Sequence, residues 1–170
     1  GNDFLDGGIN NDLLYGDSGA DQIYGGDGDD TGSGGTGNDQ LFGGRGRDTL
    51  SGDEDNDWIE GNEDDDVLLG QAGNDSLFGG AGRDLLFGAA GSDQADGGDE
   101  NDVIYGGLGD DNLAGGAGQD VVYGEDGNDR LTGGTESDRL YGGDGADDLA
   151  GGSGDDQLFG EAGIDTLAGD

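Results

Sequence analysis

The 170-residue sequence contains no cysteine, histidine, methionine, proline or lysine, and its five cationic side chains are all arginine. The lack of cysteine excludes a disulfide framework and thiolate metal sites. The lack of histidine excludes zinc–histidine centres and Ser-His-Asp triads. Five arginines are too few for the phosphate contacts of a nucleic-acid-binding protein, so we expect no nucleic-acid partner. No apolar run approaches the ~18 residues of a membrane-spanning helix, so we expect no membrane span.

Two residue types dominate instead, glycine and acidic residues. The chain has 45 glycines and 42 Asp plus Glu, which gives a formal net charge of −37. Low hydrophobicity combined with high net charge is typical of disordered chains. The sequence therefore predicts disorder unless a counter-charge neutralises the carboxylates.

An internal repeat of nine residues runs without insertion or deletion from Gly7 to Ala168, which makes 18 complete units. Residues 1–6 are the back half of an earlier unit, and Gly169 and Asp170 begin the next. Position 1 is Gly and position 6 is Asp in all 18 units, while position 8 is Leu, Ile or Val in 16. The chain is therefore interpreted as a single array over residues 1–170.

The consensus G-G-x-G-x-D-x-Leu-x predicts an all-β fold. The first six residues favour a glycine-rich turn, and the last three favour a short strand with one buried side chain between two outward ones. One such unit buries nothing alone, so two units form one flattened coil of 18 residues. Nine stacked coils then give two parallel sheets, whose position-8 side chains meet between them, in a roll roughly 40 Å long at the usual strand spacing.

The chain resembles the RTX (repeats-in-toxin) family of nonapeptide repeat proteins, and eight of its turns match GGxGxD in full. Those turns begin at Gly25, Gly34, Gly43, Gly79, Gly106, Gly115, Gly142 and Gly151. The resemblance implies a parallel β-roll with calcium between neighbouring turns of one edge, held by backbone carbonyls and the position-6 aspartates. The implied metal ligands are Asp12, Asp21, Asp30, Asp39, Asp48, Asp57, Asp66, Asp75, Asp84, Asp93, Asp102, Asp111, Asp120, Asp129, Asp138, Asp147, Asp156 and Asp165.

A count of turns gives the expected metal content. Nine turns per edge leave eight gaps, so two edges give about 16 Ca²⁺ sites, and −37 + 32 leaves a charge of −5. Without calcium the stacked carboxylates repel one another, so we expect a disordered metal-free chain and a folded loaded one. Weaker or differently coordinated sites are expected where position 4 is not glycine, at Asn10, Asp55, Asp64, Glu100 and Glu136. In the core, Gly32 and Ala95 predict weak points. The acidic run 52–66 is interpreted as a solvated loop, with surface cation binding as the alternative.

The two outer faces of the roll are expected to differ. Positions 7 and 9 of odd-numbered units form an apolar and aromatic strip, whereas the matching even-numbered positions are mostly polar. A strip of this size marks an interaction site, so we expect self-association or packing through it, the alternative being that these residues merely suit a strand. The strip comprises Val67, Leu69, Leu85, Phe87, Val103, Tyr105, Val121, Tyr123 and Tyr141, continued by Phe159.

These features favour a calcium-dependent structural array of a secreted bacterial protein, acting outside the cell as a stalk, fibre or matrix segment. The resemblance to the RTX family implies an alternative role. The chain would then be a module that assists type I secretion and calcium-triggered folding of an attached enzyme, adhesin or toxin domain. We expect no catalytic activity, because the carboxylates lie on a repetitive surface without a cleft. Polysaccharide binding by the tyrosine strip is a further alternative.

Overall fold

The apolar residue that recurs every ninth position places alternate strands on opposite sides of one core. The computed structural model describes residues 1–169 and contains two parallel sheets. The ten-stranded sheet has the order β1 (Phe4–Ile9), β3 (Gln22–Asp27), β5 (Gln40–Arg45), β7 (Trp58–Glu63), β9 (Ser76–Ala81), β11 (Gln94–Asp99), β13 (Asn112–Ala117), β15 (Arg130–Thr135), β17 (Asp148–Ser153), β19 (Thr166–Ala168). The nine-stranded sheet has the order β2 (Leu13–Tyr15), β4 (Thr31–Thr36), β6 (Thr49–Glu54), β8 (Val67–Ala72), β10 (Leu85–Ala90), β12 (Val103–Leu108), β14 (Val121–Asp126), β16 (Arg139–Gly145), β18 (Gln157–Gly163).

Each strand pairs with the strand two further along the chain, in a register of 18 residues. Leu86 lies beside Ile104 and Ile104 beside Val122, and the same offset holds throughout both sheets. The predicted β-roll with 18 residues per coil is therefore confirmed. Within residues 1–169, no helix has the length and apolar character needed to cross a membrane.

The strands are longer than the sequence predicted. Most contain six residues, such as Gln40–Arg45, so positions 1–3 of the next unit continue the strand and only positions 4–6 form the turn. The expectation of three-residue strands was wrong because positions 2 and 3 also pair with their equivalents in the next coil, as Gly44 does with Asn62. Stacking of identical backbones thus overrides the low strand preference of glycine.

The core is a double column of position-8 side chains, one from each sheet. The buried members include Ile23, Leu41 and Leu50, which are at most 1% exposed. These three side chains border the predicted gap at Gly32. A Cβ built on Gly32 would lie 3.0 Å from Leu50 Cδ2. Ala95 is buried in the same cluster.

Both sheets carry aromatic side chains on their outer faces. On the nine-stranded sheet the position-9 rings of β10 to β18 stack with centroids 4.8–5.1 Å apart and are nearly parallel. The ten-stranded sheet has two shorter clusters that the sequence comparison of the middle coils overlooked. Tyr24 stacks on Phe42 at 4.8 Å, and Trp58 packs against Phe78 at 4.6 Å.

A candidate calcium-binding edge on each side of the roll

The position-6 aspartates lie immediately before the strands and form one column along each edge of the roll. Fifteen of the 18, from Asp21 to Asp147, are buried, and Asp12, Asp156 and Asp165 at the ends are half-buried. The register places Asp12 above Asp30 on one edge and Asp21 above Asp39 on the other. All 18 predicted residues therefore occupy equivalent places, and their role as metal ligands stays a prediction.

One carboxylate oxygen of each aspartate is used within the column. From Asp3 to Asp147, the backbone N–H of each Asp in this phase donates to Oδ1 of the Asp 18 residues later, at 2.6–3.2 Å. Because the amide belongs to one coil and the carboxylate to the next, these bonds fix the spacing of the turns. They also fix the direction in which the second oxygen, Oδ2, points.

The second oxygen has no hydrogen-bond partner. Oδ2 is buried and unpartnered in every ninth residue from Asp12 to Asp156. A buried charged oxygen without a partner is strongly destabilising, and it is relieved either by a proton or by a cation. The columns therefore need a ligand that the protein side chains do not supply.

Burial raises the pKa of the position-6 carboxyls from Asp30 to Asp147, because the charged form loses its hydration. The pKa rises to about 8 for Asp66 and Asp102 and to about 7 for Asp57 and Asp111. Neighbouring carboxylates in the same column add to the shift, as Asp48 and Asp84 do for Asp66. A bound cation would reverse this effect, since an adjacent positive charge favours the ionised form.

The position-1 glycines border the space into which Oδ2 points. A Cβ built on Gly25 would lie 2.5 Å from Asp30 Oδ2 and 2.6 Å from the carbonyl oxygen of Gly43, one coil away. The same two oxygens, one carboxylate and one carbonyl, meet at most of the other position-1 glycines. Each turn thus holds a small oxygen-lined space that any side chain at position 1 would fill.

The donor set fits calcium. Within residues 1–169, no three Asp, Glu, His or Cys side chains converge on one point, so any metal must also use backbone carbonyls. Carbonyls are available, because those of positions 2 and 4 point along the stack towards the next turn, as at Gly8 and Asn10. Calcium takes six to eight oxygens and accepts carboxylates and carbonyls together.

The turns that depart from the consensus keep the same backbone path. The five non-glycine residues at position 4, Asn10, Asp55, Asp64, Glu100 and Glu136, have φ between 77° and 80°. Positive φ is found at positions 2 and 4 of all 18 units, 24 times in Gly and 12 times in other residues. The expectation of weaker sites at these turns is untested, but their geometry is not lost.

A second ladder along the turns was not foreseen. The side-chain oxygen at position 5 accepts a hydrogen bond from the backbone N–H of the residue 18 later, as Asn56 does from Asn74 and Asn101 from Gln119. These bonds run in the opposite direction to those of the aspartate column, and their acceptors are Asn, Asp or Ser side chains. The available signal was the frequency of Asn and Asp at position 5, which is ten of 18 units.

The comparisons with known proteins agree with this geometry. The family model described as RTX calcium-binding nonapeptide repeat (4 copies) matches residues 1–32, 24–59, 33–68, 60–95, 87–122, 96–131, 123–158 and 132–167. No curated protein shows significant sequence similarity to the chain. Overlapping matches that together cover residues 1–167 show that this chain belongs to the RTX calcium-binding nonapeptide repeat family.

Proposed function

We propose that calcium builds this fold, so that the chain is unfolded without the metal and forms the roll when calcium occupies the edges. The single observation that carries the proposal is the row of buried, unpartnered Oδ2 atoms from Asp12 to Asp156. About sixteen ions, one between each pair of stacked complete turns on an edge, would bring the net charge from −37 to −5. Metal binding and folding are then one linked equilibrium.

The role that follows is a structural segment outside a bacterial cell, as part of a stalk, fibre or matrix. Proteins of this family are typically secreted, and a chain that folds only with calcium stays extended where calcium is scarce and folds where it is plentiful. The apolar face of the nine-stranded sheet supports self-association in that setting. The same behaviour suits the second role, a module that assists export and folding of an attached domain. The full-length gene distinguishes the two, since an upstream catalytic or adhesive domain favours the second.

Polysaccharide binding receives less support. Sugar rings pack on the exposed faces of aromatic side chains, but here neighbouring rings cover one another. Tyr105 and Tyr123, for example, have centroids 4.8 Å apart and an interplanar angle of 7°. The middle of the stack therefore presents ring edges and hydroxyls to solvent rather than ring faces.

The test is a calcium titration followed by far-UV circular dichroism, with magnesium as the control cation. We expect a transition from coil to β-structure with calcium and none with magnesium, because magnesium demands a smaller, stricter octahedral shell. Asp102→Asn keeps the Oδ1 acceptor but removes the charge at Oδ2, so it should raise the calcium concentration needed for folding. Asp126→Asn, at an exposed position of β14, removes the same charge and should leave the midpoint almost unchanged. A chain that is β-structured at neutral pH with chelator, or that stays coil in millimolar calcium, would refute the proposal.

A further inference from the structure

The outer face of the nine-stranded sheet is free of acidic residues at positions 7 and 9. None of the 18 residues at these positions is Asp or Glu, although the chain has 42 acidic residues. The ten-stranded sheet has four, Asp6, Glu60, Asp96 and Asp148. The strands β8, β10 and β12 carry no charge along their whole length. We call the outward positions 7 and 9 of the nine-stranded sheet the acid-free face.

The acid-free face has a ridge and a trench that run parallel to the stack of coils. The ridge is the continuous row of stacked position-9 rings from Phe87 to Phe159. The trench follows positions 1 and 2: position 1 is glycine throughout, and position 2 is glycine or alanine in β10, β12 and β16 but glutamate in β14 and β18. One part of it is a cavity of about 280 Å³ lined by Phe87, Ala89, Tyr105, Gly106 and Glu125. Beyond the trench, the side chain of Leu108 at position 3 is 58% exposed.

The one cation of the acid-free face lacks an ion pair within residues 1–169. The other four arginines each contact an aspartate of an adjacent coil, as Arg130 contacts Asp148 at 2.9 Å. Arg139 makes no such contact and is exposed at position 7 of β16. Asp144, at position 3 of the same strand, is also exposed.

We propose that a second copy of this chain packs on the acid-free face, about a two-fold axis parallel to the stack. Such an axis keeps the order of the coils and reverses the strand direction, so position 9 of one copy faces positions 1 and 2 of the other. The aromatic ridge of each copy then lies in the trench of its partner. Position 7 faces position 3, which places Val103 against Leu108 of the second copy. Arg139 meets Asp144 of the second copy, and the symmetry makes this ion pair twice.

The ten-stranded sheet is a poorer surface for a second copy. Its trench is walled by the charged side chains of Asp27, Arg45, Glu63 and Asp99. At position 9, Glu60 lies beside Phe42 and Phe78 and so interrupts the row of rings. Two copies that met on this face in the same orientation would desolvate these charges against Gln22, Gln40, Trp58 and Gln94 of position 7, which offer no opposite charge.

The area predicts a weak, reversible contact. Five strands about 4.8 Å apart and about 20 Å long cover roughly 480 Å² per copy, or roughly 960 Å² in total. That exceeds most crystal-packing contacts but falls in the range of transient complexes. Because the interface needs folded strands and partly neutralised charge, it rests on the proposed calcium-driven folding and should form only with calcium.

The test is sedimentation equilibrium of the 170-residue chain over a range of concentrations with calcium, with circular dichroism on the same samples. We expect a monomer–dimer equilibrium that the double substitution Tyr105→Ser with Tyr123→Ser weakens about ten-fold or more, as removal of central aromatic side chains does at other interfaces. The matched control is Tyr24→Ser with Phe42→Ser, which removes an equally stacked pair from the ten-stranded sheet and should not alter dimerisation.

A charge exchange tests the orientation. Arg139→Glu and Asp144→Arg should each weaken the dimer, because each places like charges together, and the combination of both should restore it. A chain that folds with calcium but stays monomeric overturns the interface alone. A dimer that loses affinity equally with the ten-stranded control pair, or that is not restored by the exchange, overturns it as well. A chain that does not fold in calcium refutes the proposed function, and the interface with it.

Discussion

In the absence of calcium, lowering the pH from 8 to 5 should fold this chain. Nine position-6 carboxyls have a pKa that burial raises to about 6, 7 or 8 in the folded state. In the unfolded chain the same groups return to the ordinary aspartate value near 3.8. Between roughly pH 4 and pH 8 the folded state therefore binds more protons than the unfolded state. Its stability rises as the pH falls through this window and is lost as the pH rises.

The size of the effect follows from the number of groups. At pH 5 these nine carboxyls are about 90% or more protonated in the folded state while their unfolded counterparts are mostly ionised, so folding takes up about eight protons at these sites. The transition should accordingly be steep in pH. Far-UV circular dichroism with a calcium chelator gives the pH midpoint of folding. The change of the melting temperature with pH gives the proton uptake.

Two substitutions sharpen this test. The combination of Asp66→Asn with Asp102→Asn removes the two carboxyls whose pKa rises to about 8. We expect the uptake to fall from about eight protons to about six and the folding midpoint to move to higher pH, because two buried charges no longer need neutralising. Asp126→Asn should change both only slightly, because Asp126 is the smallest of the causes that raise the pKa of Asp129. If the metal-free chain stays coil down to pH 5, or loses β-structure on acidification, the reasoning about buried carboxylates is wrong.

Three further predictions concern substitutions from or to glycine, and all are measured on the calcium-loaded chain. Gly32→Ala should raise the free energy of unfolding by about 0.5–1 kcal/mol, because Gly is unfavourable within a strand and the new methyl meets the mobile end of Leu50; a lower melting temperature would contradict this. Glu136→Gly should stabilise by about 1 kcal/mol, since a φ of 78° is strained for Glu; no gain in denaturant unfolding would count against it. Gly106→Ala should remove calcium from the sites beside Asp111, seen as a lower stoichiometry by calorimetry, whereas unchanged stoichiometry would show that the space is not a metal site.

The repeat and its consequences could be predicted from the sequence because every unit contributes the same interactions. A fixed apolar residue at position 8 sets the core, and a fixed coil of 18 residues sets which side chains are neighbours. The columns Asp12–Asp30 and Asp21–Asp39 and the ring stack from Phe87 to Phe159 follow from that offset alone. Local preference was a poorer guide. The segment Gly43–Arg45 looks like a turn by composition, yet Gly44 and Arg45 pair in β5, because identical backbones one coil away supply the hydrogen bonds.

The direction of the carboxylate oxygens could not be predicted either, and it depends on an amide that composition does not reveal. The backbone N–H of Asp84 binds Oδ1 of Asp102, and this leaves Oδ2 facing the oxygen-lined space beside Gly97. A free aspartate would rotate both oxygens to solvent. In the folded roll the column itself therefore holds each carboxylate in place, so a bound ion does not have to fix the side-chain direction alone.

The glycines of this chain divide into two classes, and the division separates backbone geometry from the metal site. Positions 2 and 4 require positive φ, yet 12 of these 36 residues are not glycine. The non-glycine residues have φ of 67–83° and the glycines 93–154°. The smaller φ keeps the Cβ of the non-glycine residues away from the carbonyl of the neighbouring coil. Position 1 is glycine in all 18 units although its φ is not left-handed. Strain therefore does not explain position 1. What every position-1 glycine shares is a missing Cβ beside Oδ2 of the aspartate five residues later, as Gly97 has beside Asp102. The glycine that never varies along the array, at position 1, is the one whose side chain would occupy the proposed calcium site. This argues that the space, rather than the turn conformation, limits substitution there.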